Sequence, residues 1–100
     1  MSEDDQERRY GFAEMQTMME RLRDPDDGCP WDLEQTPQTI INYSIEEVYE
    51  LAEVIEDTPL NYQELQDELG DVLLQVAFFA QFASEEGQFS LGDVVDHLCK

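Results

Sequence analysis

Four acidic side chains of the sequence have the types and spacing of a metal site. Glu47 and Glu50 are three residues apart, and so are Glu68 and Asp71. On a helix, residues at this spacing are surface neighbours, about 60° apart at roughly 100° per residue. Each pair repels itself when charged, but two such pairs facing each other would offer a cluster of oxygen donors. That donor set suits a hard divalent cation, Mg²⁺ or Mn²⁺.

The surrounding residues indicate how these acids are oriented. Glu47 and Glu50 border the apolar stripe of their helix, whereas Glu46 and Glu53 point further from it. The second pair lines the edge of another apolar stripe, together with Gln75. If the two edges pack against each other, the carboxylates form an acidic pocket.

Spacing alone leaves a second interpretation open. Glu is a strong helix former, and a solvated acidic face is ordinary in an acidic chain. Gly70 favours a site, because a Gly inside a helix costs about 1 kcal/mol relative to Ala and usually marks the close approach of another group. Simple helix packing is the alternative explanation for that glycine.

Apolar residues recur at the helical period along most of the chain and predict an all-α fold, a four-helix bundle that presents these acids. Turn residues 24–28 separate the first two helices, and Cys29–Asp32 is predicted to be an extended or irregular link. The third helix is expected to be the longest. The predicted helices run from about Gln6 to Arg23, from the Thr36 N-cap until Asp57, from the Asn61 N-cap to Gly87, and from Ser90 through Leu98.

The second half of the third predicted helix is apolar almost all round, over residues 72–83. One face of a small bundle cannot bury such a surface. We therefore expect a second copy of the chain to pack on it, in a homodimer or homotetramer. The rival interpretation is a molten or aggregating fragment.

Length and charge limit the classes of function. The 100 residues predict a single domain, 1–100, with little core to spare. The 25 acidic and 5 basic residues give a net charge of -20, which excludes nucleic acid as a partner because there is no basic patch for its phosphates. Acids scattered outside the motifs suggest a high-salt environment. A melting temperature that is indifferent to molar KCl would contradict that hypothesis.

Zinc, export and membrane signals are missing from the sequence. Cys29 and Cys99 lie far apart, and His97 is the sole histidine, so the spacing of a zinc site is absent. The N-terminus is acidic, and no apolar run approaches the length of about 18 residues that a membrane span needs. We expect a cytoplasmic protein with free thiols and no membrane partner.

Six segments of the chain form an ordered series: Leu22–Pro25, Gly28–Asp32, Glu34–Thr36, Glu46–Glu50, Glu68–Gln75 and Glu85–Gly87. They include a Cys-Pro-Trp-Asp segment, then Glu-Glu-x-x-Glu, then Glu-x-x-Asp. In this order they resemble the MazG family of nucleoside triphosphate pyrophosphohydrolases, over roughly residues 12–99.

The resemblance implies an enzyme that hydrolyses nucleoside triphosphates to the monophosphate and pyrophosphate, in a four-helix fold assembled as dimers or tetramers. It implies a Mg²⁺ cofactor, with Mn²⁺ as the other candidate, held by Glu47, Glu50, Glu68 and Asp71. Glu46 becomes a candidate for supporting these ligands or activating the attacking water. All five acids are candidate catalytic residues, and none is expected to act as a covalent nucleophile.

Three residues near the motifs are candidate substrate contacts. Trp31 either stacks on a nucleobase or plugs the end of the bundle. Tyr43 lies one helical turn before Glu47 and is placed to border the nucleotide. Gln75 is placed to hydrogen-bond beside Asp71.

Further residues of the same segments have less specific interpretations. Asp32 is expected to cap or orient its loop. Arg21 and Arg23 either contact phosphate or pair with the surrounding acids.

The chain differs from the family pattern at its end. It stops at Lys100, where related sequences continue into a basic stretch, and it resembles the first half of two-domain members. The alternative function is therefore a non-catalytic dimerisation or regulatory half of a larger pyrophosphohydrolase. A third hypothesis is an acidic bundle that buffers metal ions without any dependence on triphosphate.

Overall fold

The computed structural model describes residues 9–100. Between these residues the chain forms helices and connections and contains no strand, so the predicted all-α class is confirmed. The longest helix is the one predicted to be longest. In chain order the helices are α1 Phe12–Leu22, α2 Pro30–Leu33, α3 Pro37–Glu56, α4 Tyr62–Glu85 and α5 Leu91–Cys99.

Local capping explains why the helices begin and end where they do. The Thr36 hydroxyl accepts a hydrogen bond from the backbone N–H of Thr39, and Pro37 opens α3. Asn61 and Ser90 cap α4 and α5 in the same way. Gly87 follows α4 with a φ of 70°, a left-handed conformation that favours glycine. These boundaries agree with the predicted ones.

Two details of the first third differ from the prediction. Helix α1 begins at Phe12, and the predicted start at Gln6 lies outside the described residues. The segment predicted as an extended link, Cys29–Asp32, instead enters the short helix α2. Proline at the first helical position holds the backbone in a helical φ, and the backbone N–H of Leu33 donates to the carbonyl of Cys29 at 2.9 Å.

The turn between α1 and α2 needs glycine at position 28. Its backbone N–H donates to the carbonyl of Asp24 at 2.8 Å, and the chain folds back tightly on the end of α1. A Cβ atom at Gly28 would collide with the carbonyl oxygens of Leu22 and Asp24. The close approach of backbone to backbone therefore selects glycine here.

Helices α3 and α4 form the main pair of the bundle. Ser44 contacts Gln75 while Glu47 lies near Glu68, so the two helices run antiparallel. Helix α1 packs on α4, and α5 packs on both. The core between them consists of Met19, Ile40, Ala77, Phe78 and Phe82.

Within the single chain, α4 buries only part of its apolar surface. Ala77, Phe78 and Phe82 lie in the core, whereas Leu69 is 50% exposed and Val76 is 39% exposed. The predicted second chain would cover the exposed part, and the oligomeric state stays a prediction. Among residues 9–100, no helix combines the length and apolar character needed to cross a membrane.

Candidate metal centre

The antiparallel pair α3–α4 brings three predicted metal ligands together. Glu47, Glu50 and Glu68 each contribute one carboxylate oxygen to a group whose members all lie within 4.8 Å of one another. Glu47 and Glu50 come from neighbouring turns of α3, and Glu68 comes from the facing turns of α4. The cluster therefore lies along the line of contact between the two helices, as the apolar stripes predicted.

Two oxygens of this cluster are buried without a hydrogen-bond donor. They are Oε2 of Glu47 and Oε2 of Glu68. A carboxylate oxygen removed from water and left without a partner costs free energy, and a second carboxylate nearby increases that cost. A divalent cation would satisfy both oxygens at once. The donors are all carboxylate oxygens, which fits Mg²⁺ or Mn²⁺ and does not fit a softer metal.

The electrostatics of the cluster point the same way. Burial raises the pKa of Glu47 above its ordinary value, and the negative charges of Glu50, Asp71 and Glu68 raise it further. Burial likewise raises the pKa of Glu68, with added contributions from Glu50, Asp71 and Asp67. Both carboxylates are thus destabilised in their charged form while no cation is bound.

Asp71, the fourth predicted ligand, lies at the margin of the cluster. It is exposed, and its charge acts on both Glu47 and Glu68, but its oxygens are outside the group that converges within 4.8 Å. Its assignment as a ligand stays a prediction. Glu46 is exposed and is also outside the group, in agreement with its predicted direction on α3.

Sequence reasoning missed the acidic cavity next to the cluster. This cavity of about 600 Å³ extends from Glu50 and Glu68 toward the α3–α4 connection. Its position depends on which end of α3 meets which end of α4, and the spacing within each helix does not reveal that pairing. The signal that could have located the cavity is the antiparallel order of α3 and α4, because it sets which helix ends meet. The additional acids that line the cavity are Glu53, Asp57, Glu64 and Asp67.

The predicted close approach at Gly70 is wrong within this chain. A Cβ atom built on Gly70 would meet nothing within 4 Å. The residue is exposed and faces away from the packed side of α4. Glycine is not required there by any contact that the described residues make.

Two aromatic rings stand one helical turn from the cluster. The ring of Trp31 packs edge-on against that of Tyr43, with centroids 5.6 Å apart, and against Phe78 at 6.5 Å. Trp31 is 47% exposed and Tyr43 is 44% exposed, so each ring also presents a surface to solvent. Tyr43 precedes Glu47 by one turn of α3 and lies on the same side of that helix.

Between the rings and the acids lies the pair Ser44 and Gln75. Their side-chain oxygens, Oγ and Oε1, are 2.8 Å apart. Gln75 was expected to hydrogen-bond beside Asp71, and its hydrogen bond is instead to Ser44 on the facing helix. Ser44 was not singled out in the sequence, because a lone serine in a helix carries no signal of its own.

Arg21 and Arg23, on either side of Leu22, differ in their contacts. Arg23 forms two hydrogen bonds with the carboxylate of Glu85, Nη2 to Oε1 at 2.6 Å and Nε to Oε2 at 2.9 Å. This pair lowers the pKa of Glu85. Of the two interpretations of Arg23, pairing with an acid is the one the structure supports. Arg21 is exposed and borders a groove along α1.

Asp32 is buried at the first turn of α2. Its backbone carbonyl accepts a hydrogen bond from Nη1 of Arg23 at 2.6 Å. A carboxylate in the first turn also favours the positive end of that helix. That contact is made by the backbone, so the expected role of the Asp32 side chain in capping or orienting this segment stays a prediction.

Fold and site together define an all-α domain with a carboxylate centre suited to a divalent cation between two antiparallel helices. Residues 35–100 match the family model described as the MazG nucleotide pyrophosphohydrolase domain. The chain belongs to the MazG family, as its motifs indicated.

Named relatives agree with this assignment. The chain is 51% identical over 78 residues to the nucleoside triphosphate pyrophosphohydrolase of Escherichia coli K12, which is 78% of this chain and 29% of that protein. It is 49% identical over 84 residues to the nucleoside triphosphate pyrophosphohydrolase/pyrophosphatase MazG of Thermotoga maritima, 84% of this chain and 32% of that protein. The chain thus spans about a third of the length of these relatives.

Proposed function

We propose that this domain hydrolyses nucleoside triphosphates to the nucleoside monophosphate and pyrophosphate, with Mg²⁺ as its cofactor and Mn²⁺ as a substitute. Family membership and the names of the relatives support the reaction class. The observation that carries the proposal is the convergence of Glu47, Glu50 and Glu68, with two buried oxygens that lack a donor.

Each acid has a defined part in this proposal. Glu47, Glu50 and Glu68 hold the cation, and Asp71 completes the ligand set from the solvent side of α4. The bound cation supplies positive charge that offsets the triphosphate and polarises the phosphorus under attack. Without it, the carboxylates would repel the substrate.

The remaining chemistry is a proton transfer and a displacement by water. A carboxylate at the margin of the cluster accepts the proton of the attacking water. Our candidate for this role is Glu46, which is outside the proposed ligand set. Glu46 is exposed and is therefore free to reach a water molecule. The bond to pyrophosphate breaks, and pyrophosphate leaves without a covalent enzyme intermediate.

The nucleoside end of the substrate has a plausible place beside the acids. Trp31 and Tyr43 are each a little under half exposed and pack against each other, and Tyr43 lies one helical turn from Glu47. Because a helix rises about 1.5 Å per residue, Tyr43 is about 6 Å from Glu47 along α3. A nucleoside whose phosphates are held at the acids would bring its base toward these rings. Gln75 lies between the two regions and would contact the sugar or base.

We further propose that the domain acts as a homodimer or homotetramer in the cytoplasm. Exposed apolar side chains support assembly, for Ile45, Val48, Leu69 and Leu73 lie on α3 and α4 and are each at least 39% exposed. An apolar groove of about 870 Å³ along α1 adjoins Leu73.

The direct test is release of pyrophosphate from a panel of ribo- and deoxyribonucleoside triphosphates, with Mg²⁺ and with chelator. We expect magnesium-dependent release of pyrophosphate and no orthophosphate. Glu50→Gln should abolish turnover, whereas Glu56→Gln, an exposed acid at the end of α3, serves as the matched control and should not change it. Absence of release from a folded wild-type chain would refute the proposal.

A second candidate function is a non-catalytic dimerisation or regulatory half of a larger pyrophosphohydrolase. The exposed apolar surface of α3 and α4 favours it. In that case the chain would self-associate and bind the cation without releasing pyrophosphate. Both candidates self-associate, so release of pyrophosphate from a sample that sedimentation shows to be assembled separates the two.

A further inference from the structure

Arg23 is more deeply embedded than a surface ion pair requires. Its guanidinium uses all three nitrogens: Nε and Nη2 donate to Glu85, and Nη1 donates to two backbone carbonyls, those of Asp32 at 2.6 Å and Gln35 at 3.0 Å. Its side chain is 11% exposed. One residue at the end of α1 thus connects the end of α4 to the second half of α2 and to the residues that follow it.

The same guanidinium packs on the first of a row of four aromatic rings. Its central carbon lies 4.7 Å from the centroid of Phe82, which packs on Phe78 at 6.1 Å. Phe78 in turn contacts Trp31 at 6.5 Å, and Trp31 contacts Tyr43 at 5.6 Å. Arg23 therefore supports Trp31 twice, through the backbone of α2 and through the rings beneath it.

A hydrogen bond inside the segment extends this support to the backbone of Trp31 itself. Gln35 is buried, and its side-chain nitrogen donates to the carbonyl of Trp31 at 2.8 Å. The carbonyl of Gln35 is in turn held by Arg23. Trp31 and Gln35 are thereby fixed relative to α1, while the outer surface of the indole stays exposed.

From this arrangement we infer that Arg23 is a positioning residue for nucleotide binding: it holds Trp31 against Tyr43 so that the two rings form a preformed surface for a nucleobase. The inference rests on the proposed function, because it deepens the description of the same site. Arg23 touches neither the metal ligands nor the substrate. Its expected effect is on the affinity for the base and not on the affinity for the phosphates.

The expected effect follows from the stacking of bases on aromatic side chains. Such stacking contributes a factor of roughly 5 to 150 in affinity per base. A nucleoside triphosphate should bind the wild-type chain more tightly than inorganic tripolyphosphate by a factor in that range, since tripolyphosphate offers the phosphates without a base. Loss of Arg23 should lower this ratio by roughly 2- to 12-fold, because a mobile indole must first be ordered.

Binding experiments with Mg²⁺ present test this, using ATP, GTP, CTP, UTP and tripolyphosphate as probes. Titration calorimetry gives the affinities of every variant, including those that lack Trp31. In the other variants the fluorescence of Trp31, the only tryptophan of the chain, also reports the surface. Arg23→Met should lower the preference for the nucleotide by roughly 2- to 12-fold and should leave tripolyphosphate affinity within about twofold. Glu85→Gln is the matched control: the amide oxygen still accepts from Arg23, and Nη1 still holds the two carbonyls, so the ratio should stay at its wild-type value.

A double-mutant cycle separates positioning from general loosening of the fold. In a Trp31→Leu background, Arg23→Met should have no further effect on the ratio, and far-UV circular dichroism verifies that each variant is helical. Equal weakening of both probes by Arg23→Met, or additive effects in the double variant, would overturn the inference. If the wild type binds the nucleotide and tripolyphosphate equally tightly, the inference about Arg23 is overturned and the proposed function is not. If it binds neither probe, the proposed function is overturned as well.

Discussion

Replacing Glu47 by glutamine should stabilise the protein in chelator and destabilise it, relative to wild type, in Mg²⁺. Glu47 shares the cluster with two other carboxylates within 4.8 Å, and burial and their charges raise its pKa. Two unit charges at that distance repel by about 0.9 kcal/mol in water. Two such terms, reduced by salt screening, leave about 1 kcal/mol to be regained when Glu47 becomes neutral.

That energy corresponds to a measurable change in melting temperature. For a domain of about 100 residues, 1 kcal/mol shifts the midpoint by roughly 4–8 °C, so the Glu47→Gln variant should melt higher by about that much in EDTA. The wild type should respond to Mg²⁺ instead. A cation at tenfold excess over its dissociation constant adds about 1.4 kcal/mol, or roughly 6–11 °C, and the variant should gain little.

Thermal unfolding followed by circular dichroism at pH 7, in EDTA and in Mg²⁺, provides the measurement. The melting temperature of Glu47→Gln should lie above that of the wild type in EDTA and below it in Mg²⁺. Glu56→Gln, outside the cluster on the same helix, should stay within about 0.5 kcal/mol of wild type in both. If Glu47→Gln melts lower than wild type in EDTA, or if Mg²⁺ shifts both equally, the carboxylates do not form the cation site described above.

Three other measurements test separate parts of the structure. Arg23→Met should lower the free energy of unfolding in urea by about 2–3 kcal/mol, less than the roughly 3–5 kcal/mol for a fully buried pair because Glu85 is 36% exposed. The pKa of Glu85 is lowered in the folded state, so this carboxylate stabilises the fold at pH values above its ordinary pKa of 4.5. This contribution should be lost as the pH falls below 4.5, and Glu85→Gln should flatten that part of the profile of urea stability against pH. Gly28→Ala should destabilise by about 2 kcal/mol or more, because its Cβ collides with backbone oxygens, whereas Gly70→Ala should stabilise by about 0.5–1 kcal/mol; a reversed order in urea would contradict both glycine assignments.

Local signals predicted most of the fold. The N-caps at Thr36 and Ser90 and the left-handed Gly87 act within one turn of their helix, so the sequence alone determines these boundaries. The segment Cys29–Asp32 was misjudged because its turn and proline signals are compatible with either a link or one helical turn. The segment is held in place by two hydrogen bonds from Arg23, which lies at the end of α1.

The candidate site was predictable to the extent that it follows helical periodicity. Glu47, Glu50 and Glu68 border apolar stripes, and packing two stripes together brings such borders into contact. The displacement of Asp71 to the margin and the acidic cavity near the α3–α4 connection depend on how far the helices are offset along their axes. That offset is set by packing of side chains, and periodicity carries no information about it.

The residues of the metal centre all lie within one helical hairpin, residues 37–85. Contacts between sections so close in the chain cost little loop-closure entropy, and proteins dominated by such contacts fold fast. The ligands are therefore assembled by the hairpin alone, and α1, α2 and α5 supply what surrounds them. Of the residues proposed to meet the nucleoside, Trp31 lies in α2, whereas Tyr43 and Gln75 lie on the hairpin. Substitution of Trp31 should therefore alter that surface while the positions of the acids are preserved. The hairpin is thus the part of the domain to retain when its specificity is redesigned.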